Sequence, residues 1–137
     1  TNVDETLWKG SAYLPHKTVT IAAPGESVWT ALSDRSGATY NQCVEPGDGT
    51  SFAVATVAGV AALWISKHQN DPTNRDRFSK LRQAGLLPAA FRKLVPLAAR
   101  VPTNGKWNPA WAPGIIDAYR LLGLDLPAPS DLQIGLP

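Results

Sequence analysis

The 137-residue chain contains a single cysteine, Cys43. One thiol excludes an internal disulfide and leaves no cysteine-based zinc cluster. Charge is also scarce: 18% of residues are Asp, Glu, Lys or Arg, against roughly 25% in a typical globular domain. With 13 basic and 11 acidic residues the net charge is +2, so bulk electrostatics give little drive toward nucleic acid or an anionic membrane, and neither partner is expected. The opening TNVDETLWKG carries charges and no apolar core segment, which excludes a signal peptide or anchor there. The strongest apolar run, residues 52–65, is shorter than the about 18–20 residues that cross a bilayer, and reads as a core helix. No Asp-x-Asp-x-Asp spacing marks a calcium loop, no internal repeat is present, and no cofactor is expected.

What is present is an ordinary globular composition, 44% hydrophobic, at a length that supports one domain with a real core. KTVTIAAPGESVW places Thr18, Val19, Thr20 and Ile21 in a row before Ala23-Pro24-Gly25, which predicts a buried strand and a tight turn. Residues 33–48 are rich in Ser, Gly, Asn, Asp and Pro and predict a loop. From Ser51 to about Lys67 apolar residues lie on every side, which predicts a helix covered all round. Gly59 within it costs about 1 kcal/mol relative to alanine, which suggests that another element packs close. Asp71-Pro72 reads as an N-cap and first helical position, with Phe78 and Leu81 on one face and Gly85 as the stop. AAFRKLVPLAAR predicts a helix bent or broken near Pro96. GIIDAYRLLG predicts a short helix closed by Gly123, and the tail, about 124–137, a surface strap.

GDGTSFAVATVAGVAALWISKH sets a small polar triplet against that apolar helix. Ser51 there could be a cap for free backbone N–H groups, or a nucleophile held in their field. A serine hydroxyl needs a base and oxyanion donors to attack, and a helix N-terminus supplies donors. The stretch resembles the nucleophile helix of the subtilisin-like serine proteases, with Gly49-Thr50-Ser51, a small-residue step, Val-Ala-Gly and an alanine-rich helix. VTIAAPGESVWTA resembles the family's strand and Ala-Pro-Gly turn, and WAPGIIDAYRLLG its closing segment. TNVDETLWKGSA resembles the piece after the family's VGAT-type strand.

The resemblance implies an α/β fold of subtilisin-like three-layer architecture with a parallel sheet, of which residues 1–137 are the C-terminal part. It implies a serine-type endopeptidase that hydrolyses peptide bonds through an acyl-enzyme on Ser51, in a nucleophile loop of Gly49, Thr50 and Ser51. It also implies a polypeptide substrate and a secreted parent. The family's triad aspartate and histidine and its oxyanion asparagine lie upstream of the matching region, so the chain alone is expected to be inert. A catalytically inactive scaffold or binding domain is the alternative. A half-domain exposes apolar surface, so association with the missing N-terminal half or with itself is expected. Where the family usually has proline four residues after the serine, Ala55 stands, followed by Thr56.

The remaining candidates have simpler readings. His16 precedes the strand outside any family histidine motif. His68 lies 17 positions after Ser51, about 25 Å along a continuous helix, and is excluded as its base. The five tryptophans read as loop packing over a core rather than a stacking platform. Arg75, Arg77, Lys80, Arg82, Arg92 and Lys93 read as a solvated basic face. Asp48 either influences substrate preference or forms a turn, and Cys43 reads as a buried or loop thiol.

Overall fold

The computed structural model describes residues 1–2, 4–11, 20–36, 39–109 and 111–132. Thr18 and Val19 of the expected strand, and His16, lie outside them. Strands β1 (Val28–Ser36) and β2 (Thr39–Gly47) form an antiparallel pair in register Val28↔Gly47 through Ser36↔Thr39. Four helices follow: α1 (Thr50–Asn70), α2 (Arg75–Gln83), α3 (Leu87–Ala98) and α4 (Ala118–Gly123). A 3₁₀ turn at Pro129–Leu132 ends the described tail.

The hairpin replaces the loop expected over residues 33–48. Trp29 is 69% exposed, Val44 64%, and Cys43 is exposed as well. None of the described side chains of the hairpin is buried, so among them no apolar face imposes a period-two alternation. Pro46 is tolerated because a two-stranded ribbon consists only of edge strands.

A second set of backbone pairings joins segments distant in sequence. Ala22 N donates to Gly114 O at 3.0 Å and Ile116 N to Ala22 O at 2.8 Å, a parallel bridge between Ala22 and Ile115. On the other side, Thr1 N donates to Ala23 O at 2.7 Å and Gly25 N to Thr1 O at 2.9 Å. That alternation of donor and acceptor is again the parallel one. Ile115 also pairs antiparallel with Arg100. A Cβ on Gly114 would meet Arg100 O at 2.8 Å, so this strand approach requires glycine.

The core lies where the helices meet. Trp64, Phe78, Leu81, Ala90, Leu94, Val95, Ala98, Leu121 and Leu126 form one buried cluster. Trp64 stacks edge-on against Phe91, with ring centroids 5.5 Å apart. Helix α2 buries Phe78 and Leu81 as its periodicity predicts. It stops in a Schellman arrangement: Leu86 N reaches Leu81 O at 2.8 Å and Gly85 N reaches Arg82 O at 3.1 Å, with Gly85 at φ 69°.

Three local expectations are corrected. Asp71 closes α1 rather than opening α2: its N–H bonds Lys67 O, and its carboxylate accepts from Thr73 N at 2.9 Å and Asn74 Nδ2 at 3.0 Å. Helix α2 therefore begins at Arg75. Pro96 does not break α3, because it sits in the last turn, which ends at Ala98. Gly59 is not crowded; an added Cβ there would meet nothing within 4 Å.

Helix α1 buries only Val60, Trp64 and His68, a stripe at four-residue spacing. Val54 and Leu63 are 68% and 57% exposed, so the described residues do not cover this helix all round. By length and composition it is also apolar enough to cross a membrane. The tail is tied down by side chains of the helices. Arg77 Nη1 donates to Leu126 O at 2.7 Å, Lys93 Nζ to Asp131 O at 3.1 Å, and Leu126 is buried.

Candidate functional site

Ser51 occupies the second position of α1, after the N-cap Gly49 and Thr50. The cap residue contributes no side-chain hydrogen bond, and Ser51 is exposed. Its hydroxyl has no hydrogen-bond partner among the described residues, so the serine does not act as a cap. At this position the backbone N–H groups of Thr50 and Ser51 lie before the first intrahelical bonds and remain available as donors. The aligned peptide dipoles add a positive field at the same end of the 21-residue helix.

Two contacts fix the loop before the helix. Gly49 N donates to Gly25 O at 2.7 Å, which joins the Gly-Thr-Ser triplet to the Ala-Pro-Gly turn. Asp48 Oδ1 accepts from Ser27 N at 2.6 Å, so this carboxylate holds the segment after the turn. Both glycines are crowded. A Cβ on Gly25 would lie 3.0 Å from Gly49 O, and one on Gly49 would lie 3.1 Å from Ser51 Oγ. The sequence marks both motifs but not the contact between them, which spans 24 positions.

The helix runs on regularly through the position where proline was noted as absent. Thr56 Oγ1 donates to Phe52 O at 3.0 Å, the usual back-bond of a helical threonine. The described residues contain no cis peptide bond.

No described histidine approaches Ser51. His68 lies at the other end of α1, 0% exposed, and neither ring nitrogen has a partner among the described residues. Its ring packs edge-on to Trp64 at 5.3 Å between centroids. Burial, then the neighbouring Lys67, hold its pKa below the ordinary imidazole value; Asp71 and Asp125 pull the other way more weakly.

Beside the site runs an apolar cavity of about 430 Å³. Thr50, Ala53, Val57 and Ala61 of α1 form one wall, and Ala23 and Trp111 line it opposite. The tryptophans divide as their surroundings dictate. Trp64 is in the core, Trp107 and Trp111 pack edge-on at 5.5 Å, and Trp107 Nε1 donates to Ala112 O at 3.3 Å. Cys43 is neither buried nor in a loop but exposed on β2.

A protein-family model described as Subtilase family matches residues 2–104, well over half of the chain. No curated protein and no solved structure matches it.

Proposed function

The chain belongs to the subtilase family, a family of serine proteases with an α/β fold, and from that premise we propose that Ser51 is the nucleophile of a serine endopeptidase. The observation that carries this is the placement of an exposed, unpartnered hydroxyl at the second position of α1, on a loop pinned by the Gly49–Gly25 hydrogen bond.

In this reading the Ser51 hydroxyl attacks the scissile carbonyl, and an acyl-enzyme forms as the amine leaves. The developing oxyanion lies toward the α1 N-terminus, where the Ser51 N–H donates to it. The Thr50 hydroxyl assists as an auxiliary donor, and Gly49 keeps the approach free of a side chain. The Ser51 proton passes to a histidine oriented by an aspartate, both supplied by a segment outside this chain. Residues 1–137 are accordingly the C-terminal part of the domain, inert alone, with α1 as the nucleophile helix.

The pairings of Thr1 and Ile115 on either side of residues 22–25 support a parallel sheet, and with it the three-layer architecture. The apolar cavity along α1, together with exposed Val54 and Leu63, supports a partner face for the N-terminal half of the domain or a second copy of the chain.

The test is a fluorophosphonate probe applied to the chain together with the segment carrying the histidine and aspartate. Labelling that disappears in Ser51→Ala supports the peptidase. A folded, assembled and unlabelled protein supports the catalytically inactive scaffold instead.

A further inference from the structure

A second cavity, of about 310 Å³, lies at the opposite end of α1 from Ser51, between Gln69 and Asn70 and the residues Arg75, Phe78, Ser79 and Arg82 of α2. Arg75, Ser79 and Arg82 are spaced four and three residues apart, which stacks them on one helix face. Phe78 is buried beneath them. Of the neighbouring basic groups, Arg77 donates to Leu126 O and Lys93 to Asp131 O. Arg75 and Arg82 have no ion pair among the described residues, and no carboxylate lines the cavity.

From this arrangement we propose that the cavity is a binding site for a phosphate-class anion. Two guanidinium forks, the Ser79 hydroxyl and the Gln69 amide present more donors than the two oxygens of a carboxylate can accept, and suit a group with three or more oxygens. The Asn70 amide is partly engaged, since Nδ2 donates to Ser66 O at 2.8 Å. A nucleic-acid strand is disfavoured, because the one aromatic ring in the cavity is buried and cannot stack on a base. The anion is either free phosphate or a phosphoserine side chain of a peptide. The site stands about 27 Å along α1 from Ser51, from the rise per residue, and does not depend on the nucleophile.

The test is titration of the chain with inorganic phosphate and, separately, with a phosphoserine peptide and its unphosphorylated counterpart, at constant ionic strength, followed by calorimetry. Saturable binding weakened about tenfold or more in the Arg75→Gln/Arg82→Gln variant is expected, with Arg92→Gln as the unaffected control. Arg75→Lys/Arg82→Lys, which keeps the charge and removes the planar forks, is expected to weaken binding severalfold. Equal affinity for phosphate and phosphopeptide assigns the free anion; tighter phosphopeptide binding assigns the peptide. Absence of saturable binding, binding unchanged in the glutamine variant, or equal affinity for the unphosphorylated peptide overturns the proposal.

Discussion

Gly49 N lies 2.7 Å from Gly25 O, and no side chain stands between the two backbones. That one hydrogen bond couples the turn after the Thr1-paired segment to the first turn of α1. It makes the direction of Ser51 a property of a residue 26 positions earlier.

Gly25→Ala tests that coupling. The added methyl would stand 3.0 Å from Gly49 O, tighter than ordinary contact, so the loop must shift. In the assembled protein, probe labelling at Ser51 is expected to slow by about tenfold or more, since misplacement of a reacting group by about 1 Å can cost 100-fold. Stability, followed by urea denaturation, should fall less sharply. An unchanged labelling rate would separate Gly25 from the nucleophile.

Gly59→Ala reports on whether the exposed side of α1 has a partner. In this chain the new methyl meets open space, so the variant should be more stable by about 0.5–1 kcal/mol, the helix preference of alanine over glycine. If the other half of the domain packs on this side, the same substitution should weaken association measured with the added half. Stabilisation in both settings would leave that side of the helix uncovered.

Acid should weaken the fold through His68. Its folded-state pKa lies below the unfolded value near 6.5, chiefly because the ring is buried. The unfolded chain therefore binds the proton first, and stability is full above about pH 7.5 and declines as pH falls below 6.5, by up to about 1.4 kcal/mol per unit until the folded value is passed. Denaturation midpoints at pH 7.5 and 5.5, compared with those of His68→Phe, should show a smaller pH dependence in the variant. An identical dependence in both proteins would place the acid sensitivity elsewhere.

Leu126 anchors the tail in the helical core. Leu126→Ala is expected to cost about 2–5 kcal/mol, the range for truncating a buried leucine. A loss below about 0.5 kcal/mol, the size of ordinary surface effects, would mean that the strap is superficial.

Local pattern made the helices legible, and tertiary context decided the rest. Phe78, Leu81 and Gly85 announced both the buried face of α2 and its Schellman stop. Asp71-Pro72 misled because an aspartate that accepts from Thr73 and Asn74 reads in sequence much like one that caps a helix. The hairpin of Val28–Ser36 and Thr39–Gly47 left no alternating signal, with none of its described side chains buried to impose one. For α1 the sequence fits a helix surrounded by apolar partners, whereas the described residues supply that surrounding only at Val60, Trp64 and His68. The candidate site was visible as Gly-Thr-Ser before an apolar run. Its pin to Gly25 was not, since a backbone hydrogen bond between distant glycines leaves no residue-type signature.

The most direct measurement is peptide-mapped mass spectrometry of the assembled protein after exposure to an activated acyl ester. A covalent acyl group on the peptide containing Ser51, absent when Ser51 is replaced by alanine, is the predicted result. Turnover of peptide substrate with the acyl group on another residue, or with Ser51→Ala as active as the parent, would contradict it.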